Sequence, residues 1–113
     1  MNLAVEEYLN QAITEFNKKS DSDPKLAKEL QGIRRLVQVE VTDGDVYSFV
    51  LENSHVSGLQ KGKVENPDIR VVASSETFDL LWKRELRPMK ALALKKLRVN
   101  ASLEDMLRLR KFF

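Results

Sequence analysis

The apolar positions of this chain follow two rhythms. Over Asn2 to Lys18, Val5, Leu9, Ala12, Ile13 and Phe16 recur at helical spacing on one face, with Glu6, Glu7 and Glu15 away from it. That spacing predicts an amphipathic helix. The polar run Ser20-Asp21-Ser22-Asp23 predicts its stop. Asp23 suits an N-cap and Pro24 a first helical position. A short helix is therefore expected from Pro24 to Gln31, carrying Leu26 and Leu30 and ended by Gly32.

Alternation then replaces helical spacing. Val37, Val39 and Val41 share one face of Arg35 to Thr42, which reads as a strand. Asp43-Gly44 is a hairpin turn, and Tyr47, Phe49 and Leu51 alternate along the return strand Val46 to Leu51. Asn53-Ser54 is a second turn, and His55 to Lys61 is a weaker third strand interrupted by Gly58. Lys61-Gly62-Lys63 and Asn66-Pro67-Asp68 mark a loop before a fourth, more continuously apolar strand, Ile69 to Ala73. Beyond it, Ser74 or Ser75 caps a helix with Phe78, Leu81 and Trp82. Pro88 opens another with Met89, Leu92, Ala93 and Leu94. Leu97 to Ala101 is a short fifth strand, and Ser102 caps a last helix with Leu103, Met106, Leu107 and Leu109. Strands in one run with helices at both ends predict a single α+β domain over residues 1–113, its one sheet covered by helices on one face.

Composition narrows the function. The chain has 113 residues, 42% hydrophobic and 32% charged, which suits one globular domain. Without cysteine, disulfides, thiolate chemistry and thiolate zinc sites are excluded, and a cytoplasmic location is expected. The acidic pair Glu6-Glu7 breaks a signal-peptide pattern, no apolar run approaches the ~20 residues that span a bilayer, and Arg110-Lys111-Phe112-Phe113 is not a peroxisomal address. Net charge is +2, unevenly spread: from Lys83 onward ten Lys/Arg face three Asp/Glu, leaving the first 82 residues at −5. A basic face for anionic lipid is one reading of that polarity; a solvated pair of helices is the other.

Catalytic patterns are absent. His55 is the lone histidine and reads as an ordinary surface residue at a strand edge. Glycines 32, 44, 58 and 62 form no phosphate loop. Ser74-Ser75 belongs to a helix cap rather than a nucleophile elbow. Glu104-Asp105 sits in a first helical turn, where carboxylates complement the helix dipole. No His, Cys or carboxylate cluster converges, so neither an enzyme, a metal site nor a cofactor is expected. Nucleic-acid binding is disfavoured, because the basic region lacks interleaved aromatics and any reading motif.

The C-terminal third carries more apolar surface than one sheet face uses. Met89, Leu92, Ala93, Leu94 and Leu97 cover much of one helix and its exit, as do Leu103, Met106, Leu107, Leu109, Phe112 and Phe113 at the end. A stripe of about 100° suffices for packing on a sheet. The excess fits a ligand cavity, a subunit or partner interface, a membrane surface, or a helix buried on two sides.

Several of these segments resemble a known family. Asn66-Pro67-Asp68-Ile69-Arg70-Val71 followed by Ser74-Ser75-Glu76-Thr77-Phe78 is similar to the Pro-Asp strand and Ser-capped helix of the sterol carrier protein type-two domain. Leu86-Arg87-Pro88-Met89-Lys90-Ala91-Leu92 resembles its Leu-x-Pro-x-x-Ala segment, and Lys96-Leu97-Arg98-Val99 its Lys-Leu strand. The resemblance runs from about Leu26 to Phe113 and is most specific between Asn66 and Leu109. Where that family commonly has glycine, this chain has Arg84, Lys95 and Ala101, which leaves room for different turns at those points.

The resemblance implies a twisted five-stranded sheet covered by about five helices, with an apolar cavity between them. It also implies non-covalent binding and transfer of a fatty acid, fatty acyl-CoA, phospholipid or sterol. On that basis Phe78, Leu81, Trp82, Met89, Leu92, Ala93, Leu97, Met106 and Leu107 are expected to line the cavity, and Lys90, Lys95, Lys96 and Arg98 to meet an anionic head group or membrane. The alternative is a protein-interaction or accessory module whose apolar C-terminal helices bury against a partner or a second copy.

Overall fold

Period-two alternation in Arg34–Val41 makes strand β1, and β1 organises the sheet. It pairs antiparallel with β2 (Val46–Glu52), Val37 opposite Phe49 and Val39 opposite Tyr47. On its other edge it pairs parallel with β5 (Ile69–Ala73), Val37 opposite Ile69 and Val41 opposite Ala73. Strand β6 (Leu97–Asn100) adds antiparallel to β5. The computed structural model describes residues 3–110. The sheet order is β3 (His55–Val56), β2, β1, β5, β6, with β4 (Gln60–Lys61) also on β2. The weak third strand is in fact two short pieces, β3 (His55–Val56) and β4 (Gln60–Lys61), both paired with β2. Ser57-Gly58-Leu59 separates them, as the glycine in that run predicts.

Alternation sends Val37, Val39, Val41, Tyr47 and Ile69 to one face, where with Val5 they form the main core. The opposite face carries Gln38, Glu40 and Arg70. Gln38 is buried there because its Oε1 accepts from Val64 N–H at 2.9 Å, which folds the 62–66 loop over it. Arg70 donates to Glu40 on the neighbouring strand, holding that carboxyl below its usual range. Asp68 fixes the entry to β5 as the sequence predicts: its N–H donates to the Leu36 carbonyl and its Oδ2 accepts from Leu36 N–H, both at 2.8 Å.

Helix α1 (Leu3–Ser22) packs across the core face; Asn2, Phe112 and Phe113, counted in the predicted helices, lie outside the described residues, as does the side chain of Leu109. The helix does not stop at Lys18 as the polar run suggests. Ser20 is buried and donates to the Ser54 carbonyl at 2.5 Å, so this polar residue continues the helix instead of ending it. Asn17 reaches the same sheet edge: its amide donates to the Val56 carbonyl at 2.9 Å and accepts from Val56 N–H at 2.7 Å. Asp23 then caps α2 (Pro24–Glu29) through the N–H groups of Lys25 and Leu26.

Ser74 is the cap of α3 (Ser75–Trp82), accepting from Thr77 N–H at 3.2 Å. Ser75 instead binds Asp43 in the β1–β2 turn, with both its N–H and its hydroxyl as donors. Helix α4 (Pro88–Ala93) presents Ala91, wholly buried, to Ala73 and Leu97. Helix α5 (Leu103–Arg110) closes the described chain.

The two changed turns keep the backbone that glycine favours. Arg84 has φ 61° and Lys95 φ 59°, both left-handed. After α3, Glu85 N–H bonds the Leu80 carbonyl at 2.9 Å and Arg84 N–H the Leu81 carbonyl at 3.2 Å. After α4, Lys96 bonds Ala91 at 2.9 Å and Lys95 bonds Leu92 at 3.1 Å. Each helix thus ends in the same paired closure, with the left-handed residue just past the cap. Ala101 has no such φ. Side chains at Arg84 and Lys95 strain a conformation that costs an L-residue roughly 1–2 kcal/mol. Glycine's larger unfolded-state entropy offsets part of that. Arg84→Gly and Lys95→Gly should each raise stability by about 1 kcal/mol in urea unfolding; a loss in either would show that its side chain contributes more than its backbone costs.

His55 is not isolated. Its Nε2 meets Asp21 Oδ1 at 2.6 Å and its Nδ1 the Asn53 carbonyl at 3.1 Å, and these bonds raise its pKa, the carbonyl first and the carboxylate second. A pKa raised by folding stabilises below the unfolded value, about 6.5, and that contribution fades as pH rises through the folded value. The stability difference between the native chain and His55→Gln should therefore be largest near pH 5 and shrink by pH 8, as read by thermal melts across that range.

Candidate functional site

Helix α1 is pinned near both ends and less tightly between. Val5 is buried in the core at its start, and Asn17 and Ser20 bind the sheet edge at its end. Tyr8 stacks on Trp82 with ring centroids 5.3 Å apart and donates its hydroxyl to Asp79 Oδ1 at 2.5 Å, tying α1 to α3. That bond, together with Lys83, holds the Asp79 carboxyl below its usual range.

Between these ties, Leu9, Ala12, Ile13 and Phe16 face the sheet across a cleft of about 440 Å³. The sheet side is formed by inward positions such as Val39, Phe49, Leu51 and Val71, and α3 adds Phe78 and Leu81. The wall is apolar except for Arg35, Asp105 and Arg108. Arg35 Nε donates to both Asp105 oxygens, at 3.0 and 2.8 Å, and Arg108 Nη1 donates to Asp105 Oδ1 at 2.7 Å. Asp105 is 4% exposed. Its N–H is received by the Ser102 hydroxyl at 3.1 Å, so Ser102 caps the helix as its position predicts. The Asp105 bond raises the Arg35 pKa further above its already high value.

Of the residues expected at the cleft, Phe78, Leu81 and Leu97 stand on its wall. Trp82, Met89, Leu92, Ala93, Met106 and Leu107 are not among its lining residues. Trp82 is taken up by Tyr8, and Leu92 packs beside Ala91 in the smaller core cluster. Met89 and Leu107 are 51% and 53% exposed, and Ala93 is exposed as well. Helix α5 is rotated by its ion pairs: Asp105 and Arg108 face inward, while Leu103 and Leu107, one turn apart, face outward.

The four cations lie elsewhere. Lys95, Lys96 and Arg98 border a second cleft of about 530 Å³, with Thr42, Ser74 and Glu76, and Lys90 is exposed on α4. Alternation along β6 explains the separation, because Leu97 and Val99 point to the apolar cleft and Arg98 to the opposite side. Sequence reasoning missed the α1 residues as lining, although their shared face was the signal. It also missed Arg35 and Arg108, for which no local pattern exists. Among the described residues, no group of three or more His, Cys, Asp or Glu could hold a metal ion. None of the described helices is long and apolar enough to cross a membrane.

The model of the SCP-2 sterol transfer family matches residues 10–113. No curated protein matches the chain in sequence. Among solved structures, the sterol carrier protein domain 2 of Helicoverpa armigera is 16% identical, covers 93% of this chain and 84% of its own, and superposes with a TM-score of 0.62. The palmitated SCP2L2 of Aedes aegypti is 17% identical, with 88% of each chain covered and a TM-score of 0.60. A stereoselective inverting sec-alkylsulfatase of Pseudomonas sp. is 14% identical with a TM-score of 0.57; the match takes in 73% of this chain but only 13% of the sulfatase. At these identities the likeness is one of fold.

The buried ion pairs yield a direct test of the charged end. Breaking a buried pair by removing one partner typically costs ~3–5 kcal/mol, because a charge is left uncompensated. Arg35 is partly exposed, so Asp105→Ala should cost about 3 kcal/mol, the lower end of that range. Chemical denaturation would measure it, and a cost below ~1 kcal/mol, the level of a surface pair, would mean that solvent already screens the site.

Proposed function

Because the chain belongs to the SCP-2 sterol transfer family, we propose that it binds a lipid or fatty acyl ligand in the apolar cleft beneath α1 and carries it without covalent chemistry. Transfer rather than catalysis is the activity of that family. The observation that carries the proposal is the cleft wall itself. Half-buried Leu9, Ile13, Phe16, Phe49 and Phe78 line about 440 Å³ of apolar space. That volume lies toward the low end of the ~300–1,000 Å³ of small-molecule sites and suits one chain better than two. Burial of methylenes at ~0.8 kcal/mol each would supply affinity without many polar contacts. The Aedes aegypti protein of the same fold is described as palmitated, which makes a fatty acid the first ligand to try. Fatty acyl-CoA and phospholipid are the next, with the bulky head left outside. Phe78, Leu81 and Leu97 are the lining residues in this reading, joined by the α1 face. Lys95, Lys96 and Arg98 are then free to meet an anionic membrane surface.

A second reading rests on Met89, Leu94, Leu103 and Leu107, each more than half exposed. An apolar surface of this kind suits a partner or a second copy, and a concentration-dependent mass in sedimentation would favour it.

Native mass spectrometry of the purified chain, before and after incubation with palmitate, tests the carrier reading. A stoichiometric adduct is expected in the native chain. Ile13→Trp, which fills the cleft from α1, should weaken it at least tenfold while leaving far-UV circular dichroism unchanged. An apo mass at every palmitate concentration would leave the interface reading standing alone.

A further inference from the structure

The second cleft, of about 530 Å³, is lined by the start of α3, the turn after α4 and the edge strand β6. Lys95, Lys96 and Arg98 stand on its wall with a single carboxylate, that of Glu76. None of the three cations makes an ion pair or a side-chain hydrogen bond to a described residue, Glu76 included. Asp43, which follows Thr42 of the same wall, is already occupied: its two oxygens receive the N–H and the hydroxyl of Ser75. Even with Asp43 counted, cations outnumber carboxylates around the cleft.

The turn after α4 brings these charges together. Lys96 N–H bonds the Ala91 carbonyl at 2.9 Å and Lys95 N–H the Leu92 carbonyl at 3.1 Å, so the helix end fixes both lysine backbones. Lys95 has φ 59° there, a conformation that favours glycine and strains any residue with a side chain. A lysine at this position weakens the fold and places a charge on the cleft wall. Strand alternation then gives Leu97 and Val99 of β6 to the apolar cleft and Arg98 to this one. Like charges in a concave site repel one another, and they focus a field that draws an anion.

We propose that this cleft binds a phosphomonoester or diphosphate group, with Lys95, Lys96 and Arg98 as its contacts. The proposal narrows the anionic surface suggested above for these cations to one chemical group, and it stands whether or not the apolar cleft carries a lipid. A phosphomonoester has about two negative charges at neutral pH and three acceptor oxygens, which separate donors on different elements can share. A carboxylate, with one charge and two oxygens, leaves most of the excess uncancelled. The exposed Thr42 hydroxyl has no hydrogen-bond partner among the described residues and adds a neutral donor. Val72 and Leu80 supply apolar wall for whatever carries the phosphate.

The test titrates the isotope-labelled full chain with pyrophosphate, and separately with acetate, at pH 8 and constant ionic strength, following backbone amide shifts by NMR. Pyrophosphate should give saturable shifts confined to Thr42, Ser74 and residues 95–98, and acetate should give none. Lys95→Gly should raise the urea midpoint yet weaken pyrophosphate about tenfold, in keeping with the loss of one charge-assisted hydrogen bond. Arg84→Gly relieves the same left-handed strain and removes the same charge off the cleft wall; it should raise the midpoint and leave pyrophosphate binding within about twofold. A second arm separates the sources of the phosphate, by flotation with phosphatidylcholine vesicles that carry either phosphatidic acid, a phosphomonoester, or the same fraction of phosphatidylserine. Capture by phosphatidic acid alone, lost in Lys95→Gly and blocked by pyrophosphate, supports the site with a lipid as the source. Lys95-dependent pyrophosphate binding without vesicle capture supports it with a soluble phosphoester. Equal capture by both vesicles, equal losses in Lys95→Gly and Arg84→Gly, or shifts scattered over all exposed lysines would make the cleft a general basic surface and overturn the site, as would binding in neither arm. Palmitate binding is read separately, so the site and the carrier reading fail independently.

Discussion

The register of β1 against its two neighbours is the constraint on which everything else in this molecule rests. β1 is central, bonded antiparallel to β2 and parallel to β5, and its inward valines meet Tyr47 and Phe49 on one side and Ile69, Val71 and Ala73 on the other. Side chains in a strand have period two, so a slip of one residue would exchange the valines for Leu36, Gln38 and Glu40. It would put a glutamate in the core and break the Gln38–Val64 and Glu40–Arg70 bonds that dress the other face. The polar face therefore helps to set the register as much as the apolar face does.

Given that register, polar ties at particular points add to close packing in locating several of the helices. Asn17 and Ser20 fasten α1 to the β2–β3 edge, Tyr8 fastens it to α3, Asp43 fastens α3 to the first hairpin, and Asp105 fastens α5 to β1. Ties at the ends of α1 hold its middle at a set height over the sheet. Empty apolar space costs dispersion energy, so a helix over such a space needs other contacts to hold it in place. Here hydrogen bonds hold α1 near its two ends, and the cleft lies beneath the stretch between them.

This division explains which parts were legible in the sequence. Strands and turns follow from short-range rules, so the alternation of Val37, Val39 and Val41, the Asp43-Gly44 hairpin, the Ser74 and Ser102 caps and the Pro88 helix start could all be read locally. Gly58 even announced the break between β3 and β4. The end of α1 could not be read, because Ser20 looks like a stop until its partner at Ser54 is known. The left-handed turns at Arg84 and Lys95 were equally hidden: the residue types argue against that φ, and the paired hydrogen bonds closing each helix impose it. The candidate site was the least legible part. Apolar lining has the same composition as apolar core, so Leu92 and Phe78 looked alike. In α5 an aspartate and an arginine turned inward and two leucines turned out, contrary to the periodic rule. The cause is Arg35, seventy residues earlier in the chain.

An apolar cleft kept open by polar ties has a thermodynamic consequence. The half-buried side chains around it have left the bulk water of the unfolded state but lack full packing partners, so they contribute less to stability than the same residues in a closed core. A ligand that completes their packing binds only the folded chain, and by linkage it stabilises that chain as its concentration rises above the dissociation constant. Folding and the binding of such a ligand would then draw on the same surface. Filling the cleft with larger side chains would gain stability and remove the binding space together, whereas strengthening the ties at Asn17, Tyr8 or Asp43 would gain stability and preserve it. The polar ties thus let one small domain keep both a core, built on β1, and an apolar space that the core does not consume.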